Sequence, residues 1–370
     1  GRAAESICRV LAARGHEVRV LTAHIDDLPR DEQRDGYGII RIPSLRTQPY
    51  RASLLSMFAY VLTGLWAGSR LIRLFQPDVI HVHFAVPAGA LAWFLSKRTR
   101  IPYVLTAHLG DVPGGVPEKT RDWFRWVFPF TRFVWHDASA RVAVSEFTRR
   151  LAQQHYNEEI IVIPNGVDVN PAEPVEIPTN APPVIVFAGR FMEQKSPLQV
   201  VEVLNKIRDL PWKCVMIGDG PLMADVKEAI VKFGLDDRFE LTGWIAPDEV
   251  LKRFGESDIL FMPSLSEGLP IVGVQALSKG LAIVASRVGG FVDLVDEGRN
   301  GYLPEPGDTA GFAAKLQHLL RNPDHLLSLR KHSLQKAKSF EITQIAVQYE
   351  ALFRGILRER QGSIHWKGNR

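Results

Sequence analysis

The residues of this sequence best suited to binding chemistry form the run Pro263-Ser264-Leu265-Ser266-Glu267-Gly268-Leu269-Pro270, continued to Gln275. A strand ends near Pro263, a loop follows, and a helix begins near Leu269–Pro270. Proline is welcome in a first helical turn, because its missing N–H is an orphan donor there in any case. The free N–H groups of such a turn make an anion site that suits a diphosphate. Glu267, just before the helix, can accept hydrogen bonds from a hydroxyl-rich group. Gln275, inside the helix, can bond ribose hydroxyls. The plainer alternative is that Glu267 only favours the helix dipole.

A second cluster, Gly189-Arg190-Phe191-Met192-Glu193-Gln194-Lys195, follows a strand expected at the same edge. An arginine fork and a lysine point charge match a diphosphate and the charge that develops on it as a leaving group. Two solvated surface cations are the alternative. Gly218-Asp219-Gly220-Pro221 reads equally as a turn or as a binding loop. Arg287-Val288-Gly289-Gly290 does too, its paired glycines allowing close backbone approach to a ligand. In the first half, His108 lies in Thr106-Ala107-His108-Leu109-Gly110-Asp111, at the end of a strand, where it could contact a sugar or polarise a leaving group. His81 and His83 flank Val82 and are expected to point to opposite faces, as structural residues that cannot share a metal. Asp26-Asp27 reads as a solvated loop. No cluster has the look of a metal site.

These groups need a scaffold, and the sequence supplies one. Near-continuous Val/Ile/Leu runs recur at Glu17–Thr22, Asp78–Phe84, Tyr103–His108, Ala140–Ser145 and Ile160–Pro164. They recur again at Val184–Arg190, Trp212–Gly218, Phe239–Gly243, Asp258–Pro263 and Leu281–Ser286. Strands covered on both faces read this way. Helical segments alternate with them: Ala3–Arg14, Ser53–Leu74, Pro87–Ser96, Glu146–His155, Ser196–Leu210, Pro221–Phe233, Pro247–Phe254 and Leu269–Lys279. The expectation is an α/β protein of two Rossmann-like, doubly wound domains. The first covers residues 1–169 and the second 184–340, with a proline-rich linker at 170–183 between them and a final helical segment at 341–370. The first domain opens on a helix where such a fold should open on a strand and a Gly-rich turn, so the expectation is either that its true beginning is absent or that it is one strand short.

The chain has 370 residues, enough for two domains. With 46% hydrophobic and 23% charged residues it is neither disordered nor fibrous. Two cysteines, Cys8 and Cys214, build no disulfide scaffold and fit a reducing cytoplasm. Residues 1–170 hold 21 Lys/Arg against 16 Asp/Glu, while residues 171–370 hold 24 against 25. The basic first half suggests an anionic partner, a phosphate-bearing ligand or an acidic lipid surface, rather than nucleic acid, for which no recognition module is present. Gly1 opens without a charged leader and apolar run, so no secretory signal is expected. The uncharged stretch Ala52–Ser69, between Arg51 and Arg70, reads as a core helix, a membrane-surface helix or, least of all, a span. Thr120–Trp135, rich in rings and arginines, reads as core, as an interfacial membrane patch or as a sugar platform.

Taken together, Gly189-Arg190…Lys195, Gly218-Asp219-Gly220-Pro221, Glu267-Gly268-Leu269-Pro270…Gln275 and Val288-Gly289-Gly290…Gly298…Asn300-Gly301 resemble the retaining GT-B glycosyltransferases of family 4, the group 1 transferases. The resemblance covers residues 1–340 and extends through Arg14-Gly15-His16-Glu17-Val18, Asp78-Val79-Ile80-His81-Val82-His83, Val144-Ser145 and Pro164-Asn165-Gly166-Val167-Asp168. It implies two domains facing across a cleft, with a nucleoside-diphosphate sugar held by the second. Arg190 and Lys195 would hold the diphosphate, with Gly218, Gly220, Gly289 and Gly290 beside it. Glu267 would contact donor-sugar hydroxyls, and the amides of Gly268, Leu269 and Pro270 would seat it. Gln275 would meet the ribose, Thr242 and Gly243 the base, and His108 would sit against the sugar.

The implied reaction moves a sugar to an acceptor hydroxyl with retention. The acceptor would be a polysaccharide, a glycolipid or a small glycoside of the cell envelope, carbohydrate or lipid-linked. No cofactor and no metal is expected beyond the donor. The implied place is the cytoplasm, with peripheral contact at the inner face of the membrane. The alternatives are a truncated or degenerate, non-catalytic nucleotide-binding relative and, further off, a sugar-nucleotide epimerase. The sequence departs from the family's pattern at Gln275, where the family has Glu, at Phe291-Val292-Asp293, where it has Pro-Glu, and in the glycine loop after the first strand.

Overall fold

The computed structural model describes residues 2–25, 28–46, 53–115, 124–169 and 177–367. Asp26-Asp27, Arg51, residues 120–123 and residues 170–176 of the proline-rich stretch lie outside them. The chain forms two compact units, Gly1–Pro164 with Ile342–Arg370, and Asn165–Glu341. Residues 165–169 therefore go with the second unit rather than the first. Two hydrogen bonds show why: Val167 N donates to Phe340 O at 2.9 Å, and the Asn165 side-chain Nδ2 donates to Leu269 O at 3.1 Å.

The first unit begins with α1 (Arg2–Ala13), β1 (Arg19–Ala23), β2 (Asp31–Arg34) and β3 (Tyr37–Ile42). These strands form a three-stranded sheet in the order β1-β3-β2, with β2 antiparallel to β3. The β2–β3 hairpin turns on Asp35-Gly36, both at positive φ (46° and 83°), as a primed two-residue turn requires. The Asp-Gly pair is the local signal for this hairpin. Next come α2 (Leu54–Phe75), β4 (Ile80–His83), α3 (Ala90–Thr99), β5 (Tyr103–Ala107), α4 (Phe124–His136), β6 (Ala140–Ala143), α5 (Glu146–Gln153) and β7 (Ile161–Val162). Strands β4-β5-β6-β7 form a second, all-parallel sheet. Thr120–Trp135 becomes α4 from residue 124 onward, and of its described rings Trp135 lies in the core with Phe128 and Phe130 packed against it. Trp135 is fully buried and stacks on Tyr156 at 4.2 Å between centroids, while Phe133 remains exposed.

The second unit runs β8 (Val184–Ala188), α6 (Pro197–Lys206), β9 (Lys213–Ile217), α7 (Met223–Phe233), β10 (Phe239–Gly243), α8 (Pro247–Gly255) and β11 (Ile259–Met262). It continues with α9 (Ile271–Ser278), β12 (Ala282–Ala285), α10 (Phe291–Leu294), β13 (Gly301–Tyr302), α11 (Thr309–Arg321) and α12 (Pro323–Ala337). Its one sheet is parallel throughout, in the order β10-β9-β8-β11-β12-β13. Counted from β8 that is 3-2-1-4-5-6, the doubly wound order, with its reversal between β8 and β11. Buried Arg330 locks α12 beneath the sheet. It pairs with Asp258 and donates to the carbonyls of Gly280, Pro178 and Ser257 at 2.8, 2.7 and 3.1 Å.

The last helix, α13 (Ile342–Lys367), belongs to the first unit. Ile345, Ala346 and Tyr349 pack with Val104, Val142, Ile7 and Leu11 in one core. Its Tyr349 hydroxyl meets Thr106 Oγ1 at 3.1 Å, and Arg14 Nε donates to Glu350 at 2.8 Å.

Candidate functional site

Ligands of open α/β sheets bind outside the carboxyl ends of the strands, at the point where strand order reverses. In the second unit that point lies between β8 and β11, whose paired residues include Ile185 with Ile259 and Val186 with Leu260. The loops leaving these two strands carry Arg190 to Lys195 and Ser264 to Pro270. The fold joins them: Leu265 N donates to Gln194 O at 2.8 Å, and Gln194 Nε2 donates to Ser266 O at 3.0 Å. Gln194 is thus a structural tie that no local pattern in the sequence announced.

The join delivers the central contact. Lys195 Nζ donates to Glu267 Oε1 across 72 residues of sequence. Their side chains are only 19% and 6% exposed, so water screens the pair little. The ammonium and carboxylate stand together at the head of α9. Pro270 is the cap residue of that helix (φ −71°) and Ile271 its first member, so the proline sits one step outside the first turn expected for it. Gln275 lies a little over one turn inside α9 and is partly exposed. Arg190 is also partly exposed, directly after β8 and Gly189.

The glycines of the other loops interlock this edge. A Cβ on Gly289 (φ +52°) would lie 1.6 Å from Glu267 O, and one on Gly290 would lie 2.2 Å from Gly268 O. Gly290 N also donates to Gly268 O. A Cβ on Gly218 (φ +127°) would meet Gly189 O at 2.0 Å, and one on Gly220 would meet Phe191 O at 2.5 Å. The close backbone approach expected of Gly289-Gly290 is therefore made to the Glu267 loop itself. These glycines set the position of Glu267 and Arg190 by letting carbonyls pass where a side chain would stand. Gly218 N also donates to Gly243 O at 2.9 Å, which draws the end of β10 into the same edge. There Thr242 Oγ1 donates to Gly243 O at 2.9 Å, and Trp244 beside it is 67% exposed, a free ring face.

Three hydroxyls stand at this edge, two of them within the Glu267 loop itself. Ser264, Ser266 and Ser286 each hold a buried Oγ with no protein partner. Serines are too common for their type to give a signal, and only the folded loops bring them here. A cavity of about 330 Å3 at the other end of the strands is lined by Val184, Lys213, Asp237, Glu240, Arg253 and Glu256. It lies at the amino ends, and Arg253 is taken up by Glu240 at 2.8 Å, so we place no ligand there.

His108 belongs to the first unit, just past β5. Its Nε2 lies 3.1 Å from His83 Nδ1, and its ring stacks on Phe84 at 4.4 Å. His83 in turn lies 4.5 Å from His81, whose Nε2 meets Thr106 Oγ1 at 2.8 Å. The expectation that His81 and His83 diverge is thus overturned. Strand side chains repeat with a period of two, so residues flanking a single position share a face. Burial lowers all three imidazoles, His81 to about 3 and His108 to about 4, with His83 well below its ordinary value. All three are neutral near pH 7, so His108 offers a hydrogen bond and no charge.

Comparison with known proteins bears on the family and the fold. Residues 1–171 match the family model for glycosyltransferase family 4, and residues 182–322 match that for glycosyl transferases group 1. The 2-deoxystreptamine glucosyltransferase of Streptomyces kanamyceticus is 29% identical over 349 residues, covering 86% of this chain and 89% of the relative. Among solved structures, sucrose-phosphate synthase from Thermosynechococcus elongatus aligns with a TM-score of 0.82 at 20% identity, over 96% of this chain and 93% of that one. HepE of Anabaena, solved in complex with UDP, aligns with a TM-score of 0.71 at 17% identity, over 92% and 100%. The fold is that of the GT-B glycosyltransferases.

Proposed function

We propose that this chain, which belongs to the family 4, group 1 glycosyltransferases, transfers a sugar from a nucleoside diphosphate to an acceptor hydroxyl with retention of configuration. The observation that carries the reading is the Lys195–Glu267 pair, held at the strand-order reversal and at the head of α9. An ammonium there, with Arg190 on the same loop and the first amides of α9, answers a diphosphate. The same groups stabilise the negative charge that gathers on it as the glycosidic C–O bond breaks. Glu267 accepts from donor-sugar hydroxyls, Gln275 bonds the ribose through an amide that both donates and accepts, and Trp244 offers its face to the base. The new bond forms between the anomeric carbon and the acceptor oxygen. The acceptor's proton leaves with the diphosphate, and same-face attack preserves configuration. His108, on the first unit, is a neutral hydrogen-bonding group suited to a hydroxyl. The unpaired thiols Cys8 and Cys214 suit a cytoplasmic setting.

The test is transfer from uridine, guanosine and adenosine diphosphate sugars to glycoside acceptors, by the parent chain and by Arg190→Ala and Glu267→Ala. Loss of a positioned charge at this site lowers kcat/KM by roughly 10²–10³-fold. Unchanged rates in both variants would remove the site. Nucleotide binding with no turnover for any acceptor would favour a non-catalytic relative. Donor consumption without an acceptor would favour an epimerase.

A further inference from the structure

Helix α2 is 22 residues long and contains no acidic residue. One of its faces is committed to the core. Ser56, Tyr60, Gly64 and Gly68 are buried, and the glycines let α3 come close: a Cβ on Gly64 would lie 2.5 Å from Leu91, and one on Gly68 would lie 2.7 Å from Leu95. The opposite face is unlike that of a soluble helix. Leu54, Leu55, Phe58, Leu62 and Trp66 are 56, 65, 61, 51 and 70% exposed. They stand at one-turn steps, and the same stripe continues into Arg70 and Arg73, both exposed. The Arg70 guanidinium lies over the Trp66 ring at 6.0 Å. By length and composition the helix could cross a membrane, but its glycine face is already packed against α3.

We propose that this face of α2 docks the first unit on an anionic bilayer, with the helix tilted so that its Leu54 end dips toward the acyl chains and its Arg73 end stays at the phosphates. The order along the stripe assigns the partner. Leucines and phenylalanine come first, tryptophan stands at the boundary, and arginines finish it, which matches acyl chains, interface and phosphates in turn. A second copy of the chain offers no carboxylate on this helix to meet Arg70 and Arg73, whereas a phosphatidylglycerol surface does offer phosphates. The first half of the sequence adds to the attraction, with 21 basic against 16 acidic residues over 1–170. Docking needs neither donor nor transfer, so it stands or falls apart from the catalytic reading.

The experiment is flotation of the full chain with vesicles of phosphatidylcholine alone and with one third phosphatidylglycerol. The parent chain floats with the anionic vesicles, and high salt releases it. Arg70→Glu combined with Arg73→Glu weakens that binding by about tenfold or more. Phe58→Ser combined with Leu62→Ser abolishes it, with circular dichroism unchanged and the urea midpoint little moved because more than half of each residue is in water. Brominated lipid quenches tryptophan emission in the parent chain, and Trp66→Phe loses that quenching. Three results would each overturn docking: no binding to anionic vesicles, equal binding by the serine variant, or equal binding to neutral vesicles. Concentration-dependent self-association abolished by Leu62→Glu, without vesicle binding, would assign the face to a second copy instead.

Discussion

Every residue of β11 and β12 in the second unit is buried, whereas β1 of the first unit has none buried and β4 has only Val82. The second unit has one six-stranded sheet, while the first has two sheets, each with an edge strand, β1 or β4, that pairs on one side only among the described residues. In the second unit, loops at the carboxyl edge are tied to one another by backbone contacts at four glycines. In the first, the corresponding edge is held by rings, His81, His83, Phe84 and His108, in mutual contact. Backbone contacts at glycine leave no rotamer to move, so the second unit is built to fix charges in place. Stacked rings on a half-covered strand make a softer and titratable edge.

The buried ion pair gives the sharpest way to break this contrast. Arg330→Ala strands Asp258 without a counter-ion and leaves the carbonyls of Gly280 and Ser257 without their donor. A loss of about 3–5 kcal/mol from the second unit is expected. It is read as a lowered urea midpoint, with hydrogen exchange rising in β11 and β12 and little changed in β5. Exchange that rises equally in both units would mean that the two do not differ in kind.

The glycine ties are tested by Gly289→Ala. The new methyl would lie on the Glu267 carbonyl, and the backbone is left-handed there, a conformation that costs a non-glycine residue about 1–2 kcal/mol. Donor-dependent transfer should fall by about tenfold or more as Glu267 is displaced, while far-UV circular dichroism holds. Full activity in this variant would show that the tie does not set the site.

The histidine edge makes the first unit sensitive to acid. The folded imidazoles are held below their ordinary value of 6.5 by burial, His81 to about 3 and His108 to about 4. As pH falls below 6.5 the unfolded chain takes up protons that the folded one refuses, so stability falls. The slope is up to about 1.4 kcal/mol per pH unit for each such group, and it continues until the folded values are reached. Urea midpoints between pH 7.5 and pH 5, above most carboxylate titration, check it. His81→Gln should flatten the slope, and a parent chain with no slope would count against the buried histidines.

Much of the scaffold was legible in the residues. The ten apolar runs all became strands, because a strand covered on both faces carries its signature in its own few residues. The β2–β3 hairpin was not seen, since β2 is Asp-Glu-Gln-Arg and offers no apolar alternation. Site residue types were legible as well: Lys195, Glu267 and the glycine loops each carried a local reason.

Their meeting was not legible. Lys195 and Glu267 are 72 residues apart and touch because β11 inserts beside β8, a choice made by the packing of whole strands. The clustering of His81, His83 and His108 likewise depends on β4 pairing with β5. The uncharged run in α2 carried the same hydrophobicity whether it lay in the core or on the surface. The sequence by itself set the α/β alternation and the kinds of groups at each strand end, because those depend on neighbours a few residues away. Tertiary structure alone decided which groups share a site and which face of α2 remains in water, because both follow from the partner each surface finds.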